Sequence, residues 1–249
     1  MPAVHAGALG FGPAADAYER GRPGYPAEAL DWLVAGLGIT AGSRVVDLAA
    51  GTGKFTRLLA PHAPGLIAVE PLEGMWRNLR PTLPATPLMA ATAESIALRD
   101  ESVDAVTVAQ AFHWFRGAEA LTEIRRVLRP GGWLGLAWNR RDQSVPWVAA
   151  LGRLLDRYER DTPRFARGLW AGAFAAEAPF TPLESETFHH AQQLDLAGLQ
   201  DRVVSVSFIA ALPDDERARV LDEVAGLASG LGARFPLPYV TEVFRCRRR

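Results

Sequence analysis

The sequence predicts an α/β fold, a doubly wound and mostly parallel sheet with helices on both faces. Three observations predict it. Short apolar runs alternate with amphipathic stretches of helical spacing, the pattern of strand–helix–strand crossovers. The stretch Val45-Val46-Asp47-Leu48-Ala49-Ala50-Gly51-Thr52-Gly53-Lys54 joins one such run to a helix through a tight glycine turn. Acidic or polar residues end the apolar runs: Asp47, Glu70, Thr92-Ala93-Glu94 and Gln110-Ala111-Phe112-His113. Ligands of wound sheets bind outside the carboxyl ends of the strands, where these residues fall.

In order along the chain, residues 1–14 are rich in Ala, Gly and Pro and are expected to be poorly ordered until something covers them. Tyr18 to Pro26 is punctuated by Pro and Gly and leads into a helix over 27–37, with Leu30, Leu33, Val34 and Leu37 on one face. Strands are predicted at 44–49, 65–70, 86–91, 103–109 and 133–138, and helices at 53–62, 72–80 and 118–128. Beyond Trp138 the pattern changes. Val148, Leu151, Leu154, Leu155 and Tyr158 form a helical stripe, an aromatic-containing loop runs to about Phe180, and helices follow near 196–211 and 214–229. Asp214, Asp215 and Glu216 suit the first turn of the last one.

Composition narrows the function. A chain of 249 residues buries roughly 70–75% of its unfolded surface, enough for a substantial core. A formal net charge of −1 offers nucleic acid or anionic lipid no general attraction. Arg245, Arg247, Arg248 and Arg249 concentrate charge at the C-terminus and are expected to be a solvated tail. Cys246 is the only cysteine, and the five histidines show no metal-ligand spacing, so neither a disulfide nor a metal site is expected. No apolar run reaches the roughly 18–20 residues that cross a bilayer, and no export signal is visible, so a cytoplasmic protein is expected.

The glycine turn raises the question of which nucleoside it holds. Glu70 lies near the spacing of about 20 residues at which a carboxylate meets ribose hydroxyls. Asp47 places a negative charge immediately before the turn. It opposes a pyrophosphate and favours a ligand bearing an ammonium and a sulfonium, as S-adenosylmethionine does. Lys54 pulls the other way. A nicotinamide-dependent dehydrogenase is the rival enzyme, but Thr56 takes the third small position of its glycine pattern. Lys54 is the only lysine and Ala50 precedes it by four residues, which removes the Tyr-x-x-x-Lys pair of the short-chain type. A phosphate loop also fails, because its first glycine would fall at Leu48.

Residues 45–56 resemble the first motif of class I S-adenosylmethionine-dependent methyltransferases. Further matches, in the family's order, are Tyr18-Glu19-Arg20-Gly21-Arg22-Pro23-Gly24-Tyr25-Pro26, Ala93-Glu94-Ser95-Ile96-Ala97-Leu98, Ala111-Phe112-His113-Trp114-Phe115 and Leu128-Arg129-Pro130-Gly131-Gly132. Together they are similar to the type 11 branch, which includes small-molecule enzymes of the trans-aconitate methyltransferase kind. Two positions depart from the pattern: Ala49 replaces the first glycine, and Thr92 replaces an acid before the Ala-Glu pair. The resemblance implies a Rossmann-like, seven-stranded sheet with an antiparallel edge strand, its closing pair near 183–190 and 237–245. It divides the chain into an N-terminal lid segment (1–26), a cofactor-binding core (27–145) and a helical lid and substrate region with two closing strands (146–249).

The same resemblance implies site roles. Tyr18 and Arg22 would lie at the methionine end of the cofactor, where a guanidinium can pair with its carboxylate. Asp47, Ala49, Gly51 and Gly53 would form the turn beneath it, Glu70 would meet the ribose, and Pro71 and Met75 would also bind the cofactor. Ala93, Glu94 and Gln110 would complete the cleft. His113 is the candidate base, and His113, Trp114 and Trp138 are candidate walls of the acceptor pocket. The expected acceptor is a small molecule, with a carboxylate or hydroxyl group to methylate. No nucleic-acid or membrane partner is expected, and the chain would act as a monomer or homodimer. A non-catalytic cofactor-binding regulator is the alternative of a different class.

Overall fold

The computed structural model describes residue 12 and residues 15–159, 162–163, 165, 168–175 and 179–249. The disorder expected of residues 1–14 lies outside these, apart from residue 12. The described chain forms α1 (Ala15–Gly21), α2 (Ala27–Gly36), β1 (Arg44–Leu48), α3 (Lys54–Leu59), β2 (Gly65–Val69), α4 (Glu73–Thr82), β3 (Leu88–Met89) and β4 (Val103–Ala109). It continues with α5 (Gly117–Val127), β5 (Leu128–Arg141), α6 (Pro146–Asp156), β6 (Glu184–Leu194), α7 (Leu196–Val204), α8 (Ser207–Ala210), α9 (Asp214–Ala228) and β7 (Phe235–Arg247).

The strands form one seven-stranded sheet in the order β3-β2-β1-β4-β5-β7-β6. The order reverses beside β1, which pairs in parallel with both β2 and β4. That reversal opens a crevice at the strand ends. The closing strands form the expected antiparallel pair: β7 runs antiparallel between β5 and β6, and β6 takes the edge. Successive residues of the inner strands point to opposite faces. Val46, Val106 and Leu134 enter a core beneath α5, while Val45, Ala105 and Ala137 pack beneath α2 and α3. A third core gathers α6, α7 and α9 over the far ends of β6 and β7.

Several boundaries differ from the sequence prediction for local reasons. α3 stops at Leu59 instead of residue 62, because Pro61 has no N–H to donate and restricts Ala60. β3 shrinks to two residues, since Pro87 has no donor for the ladder. The helix expected over 196–211 divides into α7 and α8. At the break Ser205 Oγ donates back to the Arg202 carbonyl at 2.6 Å, and Val206 is extended (φ −84, ψ 124). The C-terminal arginines are not a solvated tail. Arg245 stacks on Trp32 at 4.4 Å and pairs with Glu184 at 2.7 Å, and Arg247 lies over Trp133. Both belong to β7 and are fixed by its pairing with β5.

α1 is a helix the sequence reading left as an irregular segment. It is tied on two sides. Arg20 forms a two-pronged pair with Asp201 of α7, at 2.7 and 2.9 Å. Glu19 faces Arg57 of α3 at 2.6 Å and Lys54 at 3.7 Å. Gly21 permits this closeness: a Cβ there would stand 2.4 Å from the Asp201 carbonyl carbon. Gly21→Ala should therefore destabilise the protein by about 1–3 kcal/mol, the usual cost of overpacking. Urea unfolding measures this, and unchanged stability would mean that α1 does not rest on α7 in solution.

Candidate active site

A cavity of about 600 Å³ opens at the carboxyl ends of β1, β2, β4 and β5, beneath α1 and the α7–α8 break. Its floor is the turn after β1. Ala49, Gly51 and Gly53 all take left-handed backbone, with φ of 56, 59 and 85. Glycine adopts this at no steric cost, whereas an alanine pays roughly 1–2 kcal/mol. Ala49 thus reproduces the backbone of the glycine it replaces, under strain. Gln110, at the end of β4, is left-handed too (φ 61), and such outliers gather where a site needs them.

Asp47 is 1% exposed. Its carboxylate accepts from Thr56 Oγ1 at 2.6 Å and Thr107 Oγ1 at 3.0 Å. Burial raises its pKa to about 6, against the lowering effect of those two hydroxyls. Glu70 closes β2 and accepts from the Leu72 and Gly51 backbone N–H groups at 2.8 and 2.9 Å. Burial raises its pKa to about 7, with the two backbone bonds opposing. Two acids beside the turn, with no cation among the described residues bonded to either, make this end of the cavity strongly receptive to positive charge.

Opposite them stands Arg22, stacked on Tyr18 at 4.9 Å. It donates through Nε to Ser205 Oγ at 3.0 Å and through Nη2 to the Ser205 carbonyl at 2.9 Å. Burial, and then the neighbouring Arg202, lower its pKa to about 10. Among the described residues no carboxylate pairs with Arg22. Pro71, Met75, Ala93, Glu94 and Gln110 line the cavity. Glu94 accepts from the Arg116 backbone at 3.0 Å.

Two expected residues stand elsewhere. Gly53 does not line the cavity; it faces Leu79 of α4, whose Cγ would stand 2.9 Å from a Cβ at this position. Trp138 does not line it either. At 1% exposure it stacks on Phe165 at 4.5 Å, within the core beneath α5. Its indole instead donates through Nε1 to His113 Nδ1 at 3.2 Å. His113 and Trp114 do line the cavity.

Sequence reasoning missed Thr56 and Thr107, which hold Asp47, although a threonine inside the apolar run 103–109 was a visible signal. It also missed Tyr25, Asn139 and Arg202 on the walls. Thr52 and Thr92 carry buried Oγ1 atoms with no partner among the described residues, and both line the cavity. Buried hydroxyls are normally bonded, so a ligand with polar edges is the natural complement.

Two buried acids, a buried arginine with no carboxylate partner and two unmatched hydroxyls suit a nucleoside with an amino-acid and sulfonium tail. The fold and the site therefore define a cofactor-dependent methyl-transfer protein. A family model described as a methyltransferase domain matches residues 46–136. An uncharacterised methyltransferase of Mycobacterium tuberculosis is 42% identical over 244 residues, covering 95% of this chain and 95% of its own. A structure from Anaeromyxobacter dehalogenans, described as a type II methyltransferase, is similar at a TM-score of 0.66 and 28% identity, over 91% of this chain and 97% of that one. The fold is also shared with a Haemonchus contortus N-methyltransferase solved with S-adenosylhomocysteine, at a TM-score of 0.57 and 14% identity, over 95% of this chain and 57% of that one. This chain belongs to the class I S-adenosylmethionine-dependent methyltransferases, and S-adenosylmethionine is its cofactor.

Two predictions come from this geometry. Asp47 and Glu70 titrate higher in the fold than their ordinary values of 3.8 and 4.5. The ligand-free fold then holds more protons than the unfolded chain from about pH 4 to 7, and stability falls as pH rises through that window. The cationic cofactor prefers the ionised acids, so S-adenosylmethionine affinity should rise about tenfold from pH 5.5 to 8. Calorimetry measures it, and Glu70→Gln should flatten the rise. Separately, Ala49→Gly should stabilise the fold by up to about 1 kcal/mol, strain relief outweighing the freer unfolded chain; lower stability in urea would count against a strained turn.

Proposed function

We propose that the protein transfers the methyl group of S-adenosylmethionine to an oxygen of a small-molecule acceptor, a carboxylate in preference to a hydroxyl. The observation that carries this reading is the Trp138–His113 hydrogen bond. A neutral imidazole has one N–H and one lone pair. With Nδ1 accepting from the indole, the ring proton sits on Nε2 and the only lone pair is engaged. His113 is then a hydrogen-bond donor and not a base.

A carboxylate is already a nucleophile and needs no base, whereas a hydroxyl does. The bound cofactor supplies the electrophilic methyl group. What the protein contributes is alignment and exclusion of water, and effective molarity alone is worth about 7–11 kcal/mol. On this reading Arg22 holds the cofactor carboxylate, Asp47 its amino end and Glu70 the ribose. Residues 15–26 and the α7–α8 pair act as the lid. Supporting a small acceptor are the cavity's single-ligand scale, within about 300–1,000 Å³, and the absence of an Asn/Asp-Pro-Pro-aromatic run at residues 110–113.

A screen with radiolabelled methyl donor against small-acid metabolite fractions and RNA tests the function, with label expected in the acids as base-labile esters. Label entering RNA would overturn it. For His113→Ala, cofactor affinity should stay unchanged while kcat falls about tenfold, the worth of one hydrogen bond. The acidic limb of the kcat pH profile should be retained; its loss would restore His113 as the base.

A further inference from the structure

The cavity contains a second buried cation. Arg202, on α7, is 5% exposed and lines the cavity. Its Nε donates to Tyr239 Oη at 2.8 Å and its Nη1 to Ser205 Oγ at 3.4 Å. Both partners are neutral oxygens, and no carboxylate among the described residues pairs with Arg202. Three other cations on the wall differ in this respect. Lys54 faces Glu19, Arg116 faces Glu119 and Arg140 is bonded to Glu242. Asp201, beside Arg202 in sequence, is turned outward to Arg20.

A buried charge with only neutral partners is costly, and the cost persists until an anion arrives. Here two such cations sit together: Arg22 and Arg202 both reach Ser205 Oγ, and Arg202 disfavours the charge on Arg22. The cofactor brings one carboxylate. It also adds an ammonium and a sulfonium, so loading it leaves the surplus of positive charge in place. We propose that Arg202 is the anchor for an anionic group on the acceptor, so that the enzyme selects acceptors carrying a carboxylate or phosphate besides the oxygen that is methylated. Tyr239 and Ser205 hold the guanidinium in place before the acceptor arrives, which lowers the entropy lost on binding. This inference rests on the methyltransferase reading above.

The test separates the two arginines by calorimetry with S-adenosylhomocysteine, then titrates the loaded protein with succinate, with inorganic phosphate and with uncharged succinamide. Arg22→Gln should weaken S-adenosylhomocysteine binding about tenfold or more, and Arg202→Gln by no more than about threefold. Loaded wild-type protein should bind succinate or phosphate but not succinamide. Arg202→Gln should abolish that binding, and Arg202→Lys, which keeps the charge, should retain part of it. If Arg202→Gln weakens S-adenosylhomocysteine as much as Arg22→Gln does, both arginines clamp the cofactor and the proposal is wrong. It is equally wrong if the loaded wild type binds neither anion, or if succinamide binds as well as succinate. Should the wild type refuse S-adenosylhomocysteine altogether, the methyltransferase reading itself fails, a result distinct from these.

Discussion

One buried carboxylate sets the terms for this molecule. Asp47 has left water almost completely, and no cation among the described residues bonds to it. Removing a carboxylate from water costs several kcal/mol even after relaxation, and two threonine hydroxyls return only part of it. Those hydroxyls come from α3 and β4, so the side chain that charges the cleft also joins β1 to both of those elements. The strained turn, the crevice and the preference for a cationic ligand all follow from keeping that group in place. A pyrophosphate would face repulsion from Asp47 and Glu70 together, which is the electrostatic reason a dinucleotide does not suit this crevice.

Much of the architecture was legible because it is local. Strand periodicity, the glycine turn and the acids at strand ends are short-range signals, and the rule that ligands bind where strand order reverses turns them into a site. Trp138 shows where attention to motif misled. It lies two residues beyond Leu136 and four beyond Leu134, so strand alternation puts it on the core face with them, and the motif-rich surroundings obscured that. α1 escaped notice because a seven-residue helix has little intrinsic stability. It exists through contacts with α3, α4 and α7, which are far away in sequence.

The walls of the cavity were the least legible part. Arg202 and Ser205 belong to no motif, and the helix break that positions them depends on a side chain bonding backward and on Arg22 arriving from the other end of the chain. Asn139 is similar. Its amide spans three regions, donating to the Gly24 carbonyl at 2.8 Å and accepting from Thr241 Oγ1 at 2.6 Å. Residues of this kind are specified by tertiary geometry, which a linear pattern does not encode. They are also the ones that would distinguish acceptors on the proposal above, since the cofactor end is built from the recurrent turn.

The double attachment of α1 has a kinetic consequence. The helix crosses the mouth of the cleft and is fastened on each flank by ion pairs that reach solvent, Arg20–Asp201 on one and Arg57–Glu19 on the other. Mobile ions attenuate such fastenings within a Debye length of about 8 Å at physiological strength, far more than they affect the buried acids beneath. On the lid reading proposed above, ionic strength would act as a throttle on exchange: added salt would loosen the gate and hasten the release of bound molecules, while the affinity set in the interior would change little.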